Sequence, residues 1–552
     1  MSPELACAYS GYYAGANATG IELYTASWTA YIQSLRNHPS IMIWTMCNEN
    51  YIGDANASHF YRIAKQLDPS RLVMDSDGSC SAEGGSPQRK TLEVCSQQCD
   101  AWNLGSWGSI VLENPHRYHD TCNSTTHACR FAHPPMIPSI SHETGNYNTY
   151  PRLNWLIDKF NSPSSPTIKP YWLTGAWAKL NASGLLAEVD DWATASEELY
   201  LLMWKIDIED QRRNYMMSGY EWWLLQDIWT GSNGVVDHFL RPKLGVRDRI
   251  KAFNARSIFL QDGLALSYAS NATLMVDISL SNFGTADLAK SARIACSVLL
   301  DGSEIKSQVK PAATAVAQGS IGVVATIEMV LPNVLTTASV PYGVCDGPKT
   351  ITITAAFASS PESAEAPPNS WNSTLFPRWE ASPSPVGQHV VVTDPALLPR
   401  CFSNCGLYPS PSPGSAQHKQ VIVTTTITYP LLQEAEQNGS TILLLQNGTE
   451  KQFFPTTTTR FKQAWWLGNS VDSNAGTLVY NNSAPILGGM TAGGLSAGLS
   501  WFELINDAET FMIDQMPTLP GPWHGPSSSK TYNNRTCQSI AAYGPCPAAF
   551  PL

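Results

Sequence analysis

The residues of this chain best suited to acid–base chemistry are two glutamates, each delivered by a short apolar run. In RNHPSIMIWTMCNEN, Arg36 to Asn50, the stretch Ile41 to Met46 is too short for a helix and suits a strand buried on both faces; it delivers Asn48 and Glu49. A second run, Met136 to Ile140, is introduced by Pro134-Pro135 and continues into SHETGNY, which delivers Glu143. The carboxyl rim of a parallel sheet is where α/β proteins hold ligands and catalytic groups. Two carboxyl groups about 5 Å apart at such a rim hydrolyse a glycosidic bond with retention, one donating a proton to the leaving oxygen and the other attacking the anomeric carbon. Asn48 beside Glu49 is then placed to hold the sugar 2-hydroxyl, a contact that strengthens as the oxocarbenium-like state forms. Either acid alone reads better as a solvated loop carboxylate.

The elements around the acids supply the context. Ile21, Tyr24, Trp28, Tyr31 and Leu35 recur at three- and four-residue steps, the pattern of a helix packed on a sheet. After the first acid, His59 to Leu67 reads as a helix ended by Asp68-Pro69, and Arg71 to Asp75 as the next strand. A beat of about thirty residues suits βαβ units. Glu197 to Tyr215 reads as a long amphipathic helix, and Gly219 to Asp227, GYEWWLLQD, as a further strand. Strand alternation sends only one of Trp222 and Trp223 inward, where an indole face would floor a pyranose; core packing is the rival role for either.

RNHPSIMIWTMCNEN resembles the acid/base signature of glycoside hydrolase family 2, the β-galactosidase, β-glucuronidase and β-mannosidase group, and SISHETG resembles its nucleophile strand. The resemblance implies a (β/α)8 barrel with Asn48-Glu49 ending strand four and Glu143 on strand seven. By it Glu49 is the general acid/base, Glu143 the nucleophile and Asn48 the 2-hydroxyl partner, while His142 and Thr144 depart from the commoner residues around the nucleophile. His116 and Tyr118, in ENPHRYHD, fall near the end of strand six and are candidate cleft residues, as are His142, Trp222 and Trp223. Three βα units should precede strand four, yet only 48 residues precede Glu49, so the chain is expected to begin inside its barrel with strands four to eight.

Bulk properties narrow the alternatives. Only 14% of the 552 residues are charged, there are 18 tryptophans, and the net charge of −11 argues against a nucleic-acid partner. The 13 cysteines fall in local groups, including Cys296 with Cys345, that read as disulfides rather than zinc ligands. Asn-x-Ser/Thr sequons at Asn17, Asn56, Asn123, Asn181, Asn271, Asn372, Asn438, Asn447, Asn481 and Asn534 fit a secretory-pathway protein. No signal peptide is visible, and no segment has the roughly 18 uninterrupted apolar residues of a membrane span.

From Ser257 the pattern changes to short alternating strands, Ser257 to Leu260, Thr273 to Leu280, Ile294 to Leu300, Ile321 to Val330 and Thr350 to Ala356, which indicate a β-sandwich. Pro/Ser-rich stretches then lead into a region with candidate strands Val390 to Val392, Ile422 to Thr426, Thr441 to Leu445 and Thr477 to Tyr480, and a helix Tyr429 to Gln437. The fold class expected is multidomain: residues 1–256 part of a (β/α)8 barrel, 257–380 an immunoglobulin-like β-sandwich, and 381–552 a small α/β domain. The function expected is a retaining exo-β-glycosidase, β-galactosidase-like, acting on carbohydrate without cofactor or metal. The Gly488 to Gly498 run has no nucleotide-binding pattern, and His116, His119, His127 and His133 are too irregularly spaced for a metal centre. The alternatives are a non-catalytic carbohydrate-binding or scaffold protein and an inactive fragment of the enzyme.

Overall fold

The computed structural model describes residues 18–48, 54–77, 95–98, 139–144, 148–163, 165, 168–182, 184, 186–187, 189–213, 219–228, 231–243, 245–336, 348–358, 366–379, 389–392, 420–444, 456–459 and 508–511. Its first region alternates helices with parallel strands. Helix α1 (Ala18–Leu35) buries Tyr24, Trp28 and Ile32 at four-residue steps, one stripe of a 3.6-residue period. Strand β1 (Ile43–Asn48) follows, then α2 (Asp54–Leu67) and β2 (Leu72–Asp77). β1 and β2 run parallel in register from Ile43 opposite Leu72 to Asn48 opposite Asp77.

This βαβ unit is fastened by polar groups as well as by its core. Trp28 donates through Nε1 to the Phe60 carbonyl at 3.0 Å, joining α1 to α2. Trp44, fully buried on β1, donates to Asp68 Oδ2 at 3.0 Å at the end of α2. Arg71 gathers the α1-to-β1 connection: its guanidinium donates to the carbonyls of Arg36, His38 and Ile41 at 2.7 to 2.8 Å, and to Asp68 Oδ2 at 2.5 Å. Burial alone would raise the Asp68 pKa, but the donors Ser70, Arg71 and Trp44 outweigh it and hold the carboxyl at about 2.

Strands β3 (Cys95–Gln98), β4 (Ser139–Thr144) and β5 (Gly219–Trp222) form a second parallel sheet, and β2 lies against β3. Ile43 of β1, Met74 of β2 and Ile140 of β4 form one small buried cluster, so the two sheets share an inner face. Helices α3 (Leu153–Asn161), α4 (Tyr171–Ala182) and α5 (Val189–Arg213) come between β4 and β5. The last helix starts eight residues earlier than its amphipathic pattern indicates, since Val189, Trp192 and Ala193 also pack, against α3 and α4. Strand β5 is shorter than expected. After Trp222 the chain leaves the ladder and folds on itself through bridges between Gln226 and Val236 and between Val236 and Pro242.

The region from Ser257 to Trp379 is antiparallel apart from two strand pairs. Its strands are β6 (Ser257–Asp262), β7 (Ser267–Ala269), β8 (Thr273–Asn282), β9 (Arg293–Leu300), β10 (Ser303–Pro311), β11 (Ser320–Val330), β12 (Leu335–Thr336), β13 (Lys349–Phe357), β14 (Asn369–Phe376) and β15 (Arg378–Trp379). One sheet has the order β10-β9-β13-β14-β7, another β11-β8-β6, and β12 pairs with β15. Alternate residues of the two larger sheets, Val276 and Ile278 from one and Val298, Ile351 and Ile353 from the other, meet in a single core, which is the packing of a β-sandwich. Cys296 lies in that core as a free thiol, so it makes no staple between the sheets; its expected partner Cys345 is outside the described residues. Burial raises the Cys296 pKa to about 11, which keeps it an unreactive apolar group.

Helix α5 joins the two regions. Glu209, fully buried on α5, accepts from Asn369 Nδ2 at 2.9 Å and from Trp371 Nε1 at 2.9 Å, both on β14, and forms an ion pair with Lys205 one helical turn earlier. Lys205 also donates to Asn369 Oδ1 at 2.6 Å. One turn further along, Arg212 donates to the Ala255 carbonyl at 2.9 Å and to Ser281 Oγ at 3.1 Å.

Beyond the sandwich, β16 (His389–Val392), β17 (Gln420–Thr424) and β18 (Thr441–Leu444) are parallel, with α6 (Tyr429–Asn438) crossing between the last two. Thr428 caps the start of α6 by accepting from the Leu431 amide, and Gly439, at φ 63°, ends it in the left-handed conformation that suits glycine. Strands β19 (Thr456–Thr459) and β20 (Ala508–Phe511) pair antiparallel. The strand expected over Thr477 to Tyr480 lies outside the described residues. Among the described residues no helix is long and apolar enough to cross a membrane.

Candidate active site

The two acid-bearing segments lie at the carboxyl ends of parallel strands. Asn48 is the last residue of β1, level with Asp77 of β2. Glu143 is the penultimate residue of β4. The β4 ladder changes register beside it: Ser141 pairs with Tyr220 and Thr144 with Trp222, so three steps along β4 match two along β5. That extra residue is a β-bulge, and it falls on His142 and Glu143. His142 is level with Gln98 of β3. Glu49, His116 and Tyr118 lie outside the described residues.

Trp222 packs with the α5 core, its ring centroid 3.6 Å from that of Trp204 at an interplanar angle of 79°, so it faces the helices. Trp223 follows the strand's end and is half-buried. The Nε1 of each indole is buried and has no hydrogen-bond partner among the described residues.

Sequence reasoning missed the polar lock between the segments that follow β4 and β5. Thr149 donates its amide to the Ser232 carbonyl at 3.0 Å, and Ser232 returns its own amide to Asn148 Oδ1 at 2.9 Å. Beneath them Lys243 Nζ, buried, donates to Asp227 Oδ1 at 2.8 Å and to the Ser232 carbonyl at 2.6 Å. The Gly234 amide adds a bond to Asp227 Oδ1 at 2.9 Å, and a Cβ on Gly234 would stand 2.2 Å from the Asp227 nitrogen, so this turn admits only glycine. Burial raises the Asp227 pKa, and Lys243 and His238 oppose the shift. Burial lowers that of His238 against the pull of Asp227. A shallow notch opens here, lined by Arg152, Glu197, Asp227 and Lys243 among others. Four of its charges pair with one another, Arg152 in a forked pair with Glu197 at 2.8 and 3.0 Å and Lys243 with Asp227, and these pairs brace the rim. The only advance signal was an aspartate in the expected strand; Lys243, sixteen residues on, has no pattern linking it to Asp227.

The arrangement is one of parallel strands with helical crossovers, with Asn48 and Glu143 at the carboxyl ends of two of them, the position where α/β proteins hold ligands. Residues 7–103 match the family described as "Glycosyl hydrolases family 2, TIM barrel domain". A "Beta-galactosidase" of Photobacterium profundum is 28% identical over 132 residues, 23% of this chain and 11% of that protein. The chain thus matches only a small part of the curated relative's length. Among solved structures, the exo-chitosanase CsxA of Amycolatopsis orientalis is similar over 64% of this chain and 39% of its own, at 15% identity and a TM-score of 0.35. A β-glucuronidase of Parabacteroides merdae is similar over 66% and 42%, at 11% identity and a TM-score of 0.27.

Proposed function

We propose that this chain carries the catalytic rim of a secreted, retaining exo-β-glycosidase, β-galactosidase-like in its choice of terminal sugar. β1 to β5 are taken as strands four to eight of a (β/α)8 barrel. Residues 1–256 then belong to the barrel, 257–380 to an immunoglobulin-like sandwich and 381–552 to a small α/β domain. The placement of Asn48 as the last residue of β1 and of Glu143 as the penultimate residue of β4, each at the carboxyl end of a parallel strand, carries the proposal: Glu143 and Glu49, the residue after Asn48, would then serve one cleft at the rim. Trp223, one residue past the helix-facing Trp222, becomes the sugar floor in preference to Trp222. His116, Tyr118 and His142 complete the proposed sugar contacts.

In the first step Glu49 gives its proton to the glycosidic oxygen as a Glu143 carboxylate oxygen bonds to the anomeric carbon, and the aglycone departs. In the second step Glu49 removes a proton from water, the water oxygen bonds to the same carbon, and Glu143 is released with configuration retained. Glu49 must therefore be the more proton-retentive of the two, a division that burial and neighbouring charge can impose on paired carboxyls. A panel of nitrophenyl β-glycosides tests the substrate. Turnover of the β-galactoside ahead of the glucuronide, mannoside and glucosaminide is expected, and it should disappear in Glu143→Gln while the unfolding curve stays unchanged. Undiminished turnover in Glu143→Gln would remove the nucleophile assignment.

A further inference from the structure

We infer that Asn271 is an N-glycan attachment site, the one among the described sequons that the fold leaves open. Five of the ten sequons fall among the described residues: Asn56, Asn181, Asn271, Asn372 and Asn438. An acceptor asparagine needs its side-chain amide free in a surface loop. Asn56 is half-buried within α2, and its side chain or backbone is already engaged. Asn181 and Asn438 are exposed but lie in the last turns of α4 and α6. Asn372 lies in β14, where its Oδ1 accepts from Thr352 at 2.9 Å and Thr374, the third residue of its sequon, is buried.

Asn271 differs on each count. It sits in the tight turn between β7 and β8, closed by a bond from the Ala272 amide to the Ala269 carbonyl at 3.1 Å. Its φ of 65° is the left-handed value that asparagine tolerates better than other residues with a Cβ. Asn271 and Thr273 are both exposed. The turn is held by its backbone and by Ser270, whose hydroxyl donates to the Val334 carbonyl at 3.0 Å, so the Asn271 side chain is not needed to maintain it. A glycan there projects into solvent at one end of the sandwich and breaks no contact. In the transfer the Nδ2–C1 bond forms as the C1–O bond of a lipid-pyrophosphate-linked oligosaccharide breaks; the lipid pyrophosphate leaves and Nδ2 loses one proton.

The inference rests on the secretory placement proposed above. The full chain, carrying a cleavable secretion leader, is expressed in eukaryotic cells, and the native protein is treated with a peptide N-glycosidase in heavy-oxygen water. Asn271 should be converted to heavy-oxygen-labelled aspartate without prior denaturation, and Thr273→Ala should abolish the label at that position alone. Labelling at other sequons with none at Asn271, or at Asn271 only after denaturation, overturns the inference and leaves the secretory placement standing. Label at no sequon overturns both.

Discussion

In the sandwich one core runs without a break from Phe259 to Leu375, whereas β1 to β5 and their helices rest on several separate clusters. One of these holds Trp28, Trp44 and Phe60 between α1, α2 and β1; another packs α3, α4 and the start of α5; a third lies between α5, β5 and β6; and among the described residues Ile43, Met74 and Ile140 meet on the inner face. The cause is topological. Antiparallel strands pair with near neighbours in sequence and complete two facing sheets within about 120 residues. Parallel strands each require a crossover, and their inner layers fill only when the strands surround a common axis. Among the described residues the larger continuous core is that of the sandwich, and α5 joins it to the parallel region.

That contrast can be broken most forcefully at the junction. Glu209→Ala leaves the Lys205 ammonium without its carboxylate and strips an acceptor from Asn369 and Trp371, a loss of about 3–5 kcal/mol. Urea unfolding followed by tryptophan fluorescence should then separate into two transitions, the parallel region melting first; a single transition at the original midpoint would mean the two regions do not depend on this contact. Next in size is the sandwich core. Ile353→Ala, at a fully buried position, should cost about 3 kcal/mol and shift the later transition, while Met74→Ala in the small inner cluster should cost less and shift the earlier one. Equal penalties would contradict the uneven distribution of packing.

The smallest effects concern the βαβ fastening. Trp44→Phe removes the donor to Asp68 and should cost about 1 kcal/mol. The pH dependence has a defined sign. The Asp68 pKa in the folded protein, about 2, lies below its ordinary 3.8, so this carboxylate's contribution is complete above that ordinary value and is lost as pH falls through about 2. Thermal melts between pH 5 and 2 should show a slope in the parallel-region transition that is shallower in Asp68→Asn. An unchanged slope would assign acid lability to other groups.

Much of this architecture was legible in the chain because its periods are strong. The recurrence of Ile21, Tyr24, Trp28, Tyr31 and Leu35 at three- and four-residue steps marks α1, and alternation marks most of β8 and β13. The turn after Thr428 and the glycine at 439 fix α6 at both ends. What could not be read depends on contacts across long separations. The Lys205–Glu209–Asn369–Trp371 cluster spans the two regions, and the Asp227–Lys243 lock joins a strand end to a loop with no periodicity. The Cys296–Cys345 pairing was inferred from proximity in sequence, whereas Cys296 occupies an alternating inward position of β9, where it serves as a small apolar residue. The bulge beside Glu143 was equally hidden, since a register shift depends on the partner strand and not on the residues of β4 alone.

Azide rescue of the two acid variants, with the product's anomeric configuration assigned by NMR, tests the central claim most directly. Glu143→Gly with azide should give a glycosyl azide of inverted configuration, because azide enters the space left by the nucleophile, and Glu49→Ala should give one of retained configuration, because azide attacks the glycosyl-enzyme where water would. The same configuration from both variants, or rescue of neither alongside a fully active parent chain, would contradict the assignment of Glu143 as nucleophile and Glu49 as acid/base.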